Sequence, residues 1–579
     1  MPNYNSRKER KRAEEEILNK IQTLETDNQQ EISKSVPVEK EDKMIQGTFW
    51  MTFGSIFSRL LGALYIIPWN AMMGASAEMG NALFAVGYTP YQLFLSIGIA
   101  GFPSAMSKQI AQYNAKGEYY QGQELFKKSS LFMVATGILS AGLMYVLAPA
   151  IGANSPGISV EANTLVIRSL APALLIVPIM SLIRGYFQGY QNMVPSAITQ
   201  VVEQVIRVVY ILLATFVVMN IFQGQFPTAV AHSTFAAFVG AVASLIMLMW
   251  YYQKHMRKYG AVIERSSTGQ KLNTTQAIKE MIKESIPFII IGSGITFAKL
   301  IDQFTFKPIM QRTTEFDAKT ISTLYGLFSF NADKLIMIII SLAVGMAATS
   351  IPLLVENYIK GNVKQLGNQI RQIFELFAFA MFPAAFGMMI VATPIYNVFY
   401  PITELSPVGV RLLAISSVMS VILGAFTIVS SILQSFGKHL EAILYLIIGL
   451  VAKLVLQYPF IMLFGTAGAL YATSLGFTIT MILSLIKIYR LVPFNVKETG
   501  RMTGLIALST GYMVAAAYFV SRLLGLFMAP DRKITALLFV LIIAGVGAGV
   551  YVYLLLKLRV ADKILGSRVE SLREKLRIS

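Results

Sequence analysis

The sequence predicts an all-α polytopic membrane protein of about fourteen transmembrane helices, two pseudo-symmetric six-helix halves plus two C-terminal helices, and three observations carry that prediction. Of the 579 residues, 55% are hydrophobic and only 14% charged, where a soluble domain carries roughly 25% charged residues. Apolar runs of about twenty residues, enough to cross a hydrocarbon core about 30 Å thick, recur along nearly the whole chain. Landmarks of the first half also recur, in order, in the second.

The apolar runs fall near 48–69, 81–104, 126–150, 164–187, 196–219 and 228–252, then near 285–308, 321–350, 371–395, 407–433, 441–463 and 467–488, and finally near 503–527 and 534–557. The organisation read from them is a charged tail (1–47), a first six-helix half (48–252), a cytoplasmic linker (253–284), a second half (285–488), two added helices (489–557) and a basic tail (558–579). Glycine and proline are frequent in the runs, as at Gly98, Gly101, Pro103, Pro172 and Pro178. Neighbouring helices can re-satisfy the backbone that such residues free.

Charge placement sets the orientation. The net charge is +18, and the basic segments 1–47, 105–125, 253–284, 353–370, 489–502 and 558–579 all fall on one side. The opposite loops 70–80, 151–163, 220–227, 396–406 and 464–466 contain no Lys or Arg, and only Arg312, Lys319, Arg532 and Lys533 break the pattern. Positive residues are retained in the cytoplasm, so both termini are expected there, in a bacterial plasma membrane. The excess charge then reads as topology rather than as a nucleic-acid surface. Arg7–Arg12 followed by Glu14–Glu16 reads as part of a topology-setting tail, or as a short charged helix on the anionic leaflet. That polar stretch is too long for a secretory n-region. Cysteine is absent and His232, His255 and His439 are dispersed, which excludes disulfides and gives no pattern for a zinc or other metal site.

The duplication is seen in offsets. Arg59 and Pro68 match Lys299 and Pro308 at 240 residues; Gly101 and Lys116-Gly117 match Gly345 and Lys360-Gly361 at 244; Gln188 and Arg207 match Gln434 and Lys453 at 246. Six helices per half is an even number, so the repeats are parallel about an axis normal to the membrane. Transporters built this way bind between the halves and rock them for alternating access.

Charges deep within the spans mark the interior, since each costs at least about 2.5–3.5 kcal/mol at the membrane centre. The deep cations are Arg59, Arg168, Arg184, Arg207, Lys299, Lys334, Arg411 and Lys453; the deep anions are Glu203, Asp302 and Asp333, with Glu375 nearer a helix end. A cation excess, with Arg59/Lys299 and Arg207/Lys453 as repeat-related pairs, suits an anionic, phosphate-bearing substrate. Glu203–Arg207 and Lys299–Asp302, four and three apart, are equally read as local ion pairs. Arg168, Arg184 and Arg411 fall where snorkelling is expected. Asp333 and the adjacent Lys334 point to different helix faces. Asp302, Asp333 and Glu203 are the candidates for coupling to a cation or proton, and no other cofactor is expected beyond the membrane potential. Arg59, near mid-helix with no acid within four positions, is the leading substrate contact.

Together these features resemble the multidrug/oligosaccharidyl-lipid/polysaccharide (MOP) flippase superfamily. Ser58-Arg59-Leu60-Leu61-Gly62 is similar to the Ser-Arg-Val-Leu-Gly motif of the MurJ (MviN) lipid II flippases, and Asn331-Ala332-Asp333-Lys334-Leu335 to that family's Ala-Asp-Arg-Leu segment. The resemblance implies that Arg59 and Lys334 are cavity cations engaging a pyrophosphate. It also implies a V-shaped cavity between the halves and an apolar groove, made with the last two helices, for a polyprenyl tail. A second family arginine falls on Tyr65, an aspartate at or near Asn81 and another arginine near Leu95 or Ser96. That pattern resembles the YtgP and SpoVB type of the Firmicutes, in which Arg184, Arg207 or Lys299 would supply the missing charge.

The expected activity is therefore translocation of undecaprenyl-pyrophosphate-linked peptidoglycan precursor (lipid II) to the outer leaflet, by a monomer working with membrane lipids. The alternative is another polyprenyl-linked glycan: a teichoic-acid, capsule or spore-cortex unit. A drug/cation antiporter would want an acidic cavity. A glycosyltransferase would want paired catalytic carboxylates, where the outward loops carry Glu78, Glu161, Glu315, Asp317, Glu404 and Asp531 scattered singly. No catalytic residue is expected.

Overall fold

The computed structural model describes residues 54, 57–99, 101–266, 274–359 and 361–565. The charged tail 1–47, with its expected leaflet-binding stretch, and residues 566–579 of the basic tail lie outside the described residues. Among those described, no strand occurs. A chain crossing hydrocarbon has no water for its backbone, and a helix satisfies those groups internally.

The first half begins with α1 (57–64), which a turn at Tyr65 separates from α2 (Ile66–Met73). The chain then reverses through Gly74–Ser76 into α3 (Ala77–Ile99). Gly74 has φ 54°, a value that a side chain resists. The reversal lays Trp69 over Phe84, with ring centroids 6.3 Å apart. There follow α4 (Phe102–Ala115), α5 (Tyr119–Ala153), α6 (Val160–Gly189), α7 (Val194–Phe216) and α8 (Phe226–Arg265).

The second half comprises α9 (Thr274–Gly292), α10 (Gly294–Thr313) and α11 (Ala318–Gly326), with a π-turn, Leu327–Ala332, leading into α12 (Asp333–Ile359). It continues through α13 (Val363–Ile390), α14 (Ala392–Phe399), α15 (Ser406–Ser435), α16 (His439–Phe464) and α17 (Thr466–Leu491). The added pair is α18 (Val496–Phe527) and α19 (Lys533–Lys557), followed by the short α20 (Val560–Leu565).

By length and composition twelve helices among the described residues qualify as spans, or thirteen if the bent pair Ser285–Gly292 and Gly294–Thr313, inclined at 48°, crosses as one. The expected fourteen is not reached on that count, which takes Phe57–Ala115 as one 59-residue run although the chain folds back inside it.

Two expected loops are largely helical. Residues 105–125 hold most of α4, which turns Phe102, Met106 and Ile110 inward at a four-residue spacing and packs along α6. The linker 253–284 is mostly the end of α8 and the start of α9. Helix α8 continues because Tyr252, Met256, Tyr259 and Ile263 find an apolar partner in the cluster around Phe126 and Tyr186. An apolar stripe with something to pack against keeps a helix going beyond the bilayer.

Packing within each half follows one plan. Helices α3 and α6, α6 and α8, and α7 and α8 pack along one another, as do α12 and α15, α15 and α17, and α16 and α17. The pair α18–α19 packs on α13 and α14 of the second half. Arg371 of α13, near Glu375, fixes this junction with an ion pair to Glu498 of α18 at 2.5 Å.

Candidate substrate cavity

A cavity of about 1170 Å³, counting its open mouth, lies between the halves. Helix α1 presents Ser58 and Arg59 to it, α3 presents Phe84 and Tyr88, α7 presents Gln204 and Arg207, α10 presents Lys299, and the π-turn with α12 presents Phe330, Asp333 and Lys334. Four cations and one carboxylate thus face a single space within the membrane-spanning bundle.

Two of these cations are paired with carboxylates. Lys299 lies 2.8 Å from Asp333, and Arg207 lies 2.9 Å from Glu203, just behind the wall. The other two are not. Among the described residues neither Arg59 nor Lys334 has a carboxylate partner; Arg59 is exposed to the cavity, and the Lys334 ammonium rests against aromatic rings.

Arg184 and Lys453 do not line this cavity. Arg184 donates to Glu203 (3.1 Å) and Ser244 (3.0 Å), so one glutamate serves two arginines. Lys453, 1% exposed, is sealed inside the second half, where it donates to Asp302 (2.7 Å) and Thr473 (2.5 Å). Gln457 donates to the same Asp302 oxygen at 2.8 Å. The expected repeat-related pairs therefore divide. Arg59 and Lys299 share the cavity, whereas of Arg207 and Lys453 only the former faces it.

The local pairing expected for Lys299–Asp302 does not form. Each finds its counter-ion on another helix, Lys299 on α12 and Asp302 on α16. Asp333 and Lys334, expected on different faces, both line the cavity: Asp333 turns to Lys299 and Lys334 to the rings of α3. The π-turn just before them shifts the helical register, a distortion that recurs at functional sites. Arg168 and Arg411 are outside the cavity, the former stacked on Tyr145 with its guanidinium 4.5 Å from the ring.

The halves close on each other at the Lys/Arg-poor face. Asn70 donates to the Phe399 carbonyl (3.3 Å), Thr403 to Glu78 (2.5 Å) and Asn81 to Asn331 (2.9 Å). Gln303 reaches Ser155 and the Val86 carbonyl. At the basic face, contact between the halves runs through α9 against α4 and α5. A separate apolar groove of about 860 Å³ lies between α13–α14 and α18–α19, lined by Gly387, Met513, Ala544 and Ala548 among others.

The family model for polysaccharide biosynthesis proteins matches residues 44–358, and the MatE family model residues 330–459. Lipid II flippase MurJ of Bacillus subtilis (strain 168) is 35% identical over 539 residues, covering 91% of this chain and 97% of that protein. The chain belongs to the MurJ family. It therefore falls within the MOP superfamily. A second relative, the uncharacterized membrane protein YabM of the same organism, is 23% identical over 90% of the chain and 94% of its own length. A solved structure of lipid II flippase MurJ in an inward closed conformation shares the fold, with a TM-score of 0.61, 15% identity and coverage of 87% of this chain and 97% of that one.

In this MurJ-family chain, two of the positions expected to depart from a charged pattern hold neutral side chains in contact with the site. Tyr65 lines the cavity, and the buried Asn81 amide bonds across the halves to Asn331. Among the cavity residues that sequence reasoning misses are Phe84, Tyr88, Phe330 and Gln204. In a membrane helix an aromatic looks the same whether it fills the core or faces a cation. Tyr88 and Phe84, one turn apart and opposite Lys334 only in three dimensions, leave no mark in the sequence.

Proposed function

We propose that this chain translocates lipid II from the cytoplasmic to the outer leaflet of the plasma membrane by alternating access of its two halves. The observation that carries the reading is the pair of uncancelled cations, Arg59 and Lys334, in one cavity between the halves. A diphosphate cannot enter hydrocarbon bare, and cations without counter-ions offer it charge-assisted hydrogen bonds where water is scarce. Lys299 and Arg207 add donors once the substrate competes with their carboxylates. Membership in the MurJ family, with 35% identity to a lipid II flippase over nearly its whole length, supports the same substrate.

In this reading the basic face is cytoplasmic. The headgroup enters between the halves while the polyprenyl tail stays in the bilayer along the α13–α14/α18–α19 groove. Outward opening breaks the Asn70–Phe399, Glu78–Thr403 and Asn81–Asn331 contacts. The inside-negative potential favours return of the empty, positively charged cavity. The chain acts as a carrier rather than a catalyst, and as a monomer.

The test is depletion of the chain in its host, followed by identification of the lipid-linked precursor that builds up on the inner leaflet. Lipid II is expected. Accumulation of a teichoic-acid, capsule or spore-cortex precursor with normal lipid II would overturn the assignment in favour of that glycan.

A further inference from the structure

Four membrane-embedded cations of this chain, Arg184, Arg207, Lys299 and Lys453, each lie against a carboxylate. Lys334 is held differently. Its Nζ lies 5.1 Å from the ring centroids of both Phe84 and Tyr88 and 5.4 Å from that of Phe330. The rings brace one another: Phe84 is 5.6 Å from Tyr88 and 5.2 Å from Phe330. Trp69, fully buried, backs Phe84 and Phe330 and is fixed by its own hydrogen bond to Ser233. The cage is therefore built on packed core, with its remaining side open to the cavity that Lys334 lines.

A ring face attracts an ammonium through its quadrupole without carrying net charge. A carboxylate would hold the same ammonium more tightly but cancel its charge and compete for its donors. An aromatic cage is thus a way to keep a lysine ordered in a low-dielectric cavity while its full positive charge stays available to an anion. We propose that Phe84, Tyr88 and Phe330 are positioning residues that hold the Lys334 ammonium, uncancelled, at the cavity wall for the diphosphate of the substrate. The inference rests on the diphosphate-lipid reading above. Two walls of the cage belong to α3 of the first half, and the third to the second half with Lys334 itself. The cage is complete only while the halves stand as they do here, so a rocking motion that parts them also loosens the grip on the anion.

The experiment uses the full-length purified chain with its lysines reductively ¹³C-methylated, which preserves their charge. The Lys334 methyl resonance is identified by its loss in Lys334→Arg. Ring currents should place it upfield of the other lysines, and Tyr88→Leu should move it back toward them. Tyr88→Leu should also weaken binding of inorganic pyrophosphate about fivefold, as expected for one lost cation–ring contact, while Tyr88→Phe stays within about twofold of wild type. Tyr88 is only partly buried, so its replacement leaves the Trp69 core in place. A Lys334 resonance at the ordinary lysine position, or unchanged pyrophosphate affinity in Tyr88→Leu, overturns the cage. If wild type shows the upfield resonance but binds no pyrophosphate, the cage stands and the diphosphate substrate falls.

Discussion

Lys453 Nζ and Asp302 Oδ1 lie 2.7 Å apart in the interior of the second half, joining α16 to α10 across 151 residues of chain. The lysine is 1% exposed and the aspartate 6%. Asp302 is one of three residues, with Asp333 and Glu203, that the sequence offers for coupling to a cation, and its carboxylate already holds a tethered one. Thr473 and Gln457 complete an oxygen shell around that ammonium, at 2.5 and 3.5 Å.

Removing one member of a buried pair leaves an uncompensated charge and costs about 3–5 kcal/mol, whereas replacing both with apolar side chains is often nearly neutral. Lys453→Met and Asp302→Leu are each expected to lower the melting temperature in detergent sharply, and the double variant to recover most of the loss. A double variant as unstable as the sum of the singles would mean that the two side chains act independently. Because the ammonium fills the place of a soluble ion, the wild-type melting temperature is expected to be equal in sodium and choline salts of the same ionic strength.

Lys299 and Asp333 bear on the cavity itself. If Lys299 chiefly neutralises Asp333, Lys299→Met should impair function more than the double variant Lys299→Met/Asp333→Leu, since the single change leaves a carboxylate beside Arg59 and Lys334. Arg59→Ala, by contrast, should abolish complementation of a depleted strain while the protein stays at normal abundance in the membrane. No acidic replacement partner exists for Arg59 among the described residues, so no second-site change at a carboxylate should rescue it. Wild-type growth from Arg59→Ala would remove that side chain from the substrate path.

Much of this architecture is legible from sequence, for reasons that also mark where legibility stops. Span positions follow from the length of apolar runs, so α15, expected at 407–433 and found at Ser406–Ser435, differs by a residue or two at each end. Glu203–Arg207 is legible because four residues is one helical turn. The partners of Lys299 and Asp302 are not, because each lies on a different helix and spacing speaks only of a single helix. The π-turn before Asp333 is illegible for a related reason: tertiary packing fixes it, and no proline marks it. The break at Ser293 does carry a local signal, Gly292-Ser293-Gly294, but glycine is frequent in these spans and does not by itself single out that site. The helical ends of α8 and α9 escape notice because their polar composition reads as loop until the apolar cluster that they cover is known.

Gly326 touches the seal at the Lys/Arg-poor face. A Cβ added there would lie 2.9 Å from the backbone nitrogen and Cβ of Ala82, closer than real contacts allow. Gly326→Ala should therefore wedge α11 away from α3 and favour opening of that face. Because the chain has no cysteine, a single Ala85→Cys in the cavity wall reports the change. A membrane-impermeant maleimide applied from that face should label it several-fold faster in the Gly326→Ala background. Equal rates in two folded proteins would show that the seal does not depend on this close approach.

The groove between the second half and the added helices is built to hold a lipid tail. Its lining is almost wholly apolar, with small residues (Gly387, Ala517, Ala544, Ala548) forming the floor, which suits an isoprenoid chain and gives a headgroup nothing to bind. Each CH₂ buried there contributes about 0.8 kcal/mol, so displacing two of them would weaken the lipid by about fifteenfold. Ala544→Trp should have at least that effect on transport, with little effect on inorganic pyrophosphate binding, because the cations lie elsewhere. Leu541→Trp is the matched control: it is on the same helix, 60% exposed and outside the groove. Equal activity of the two tryptophan variants would show that the tail does not run along α19, and would leave the cavity cations as the only anchor for the substrate.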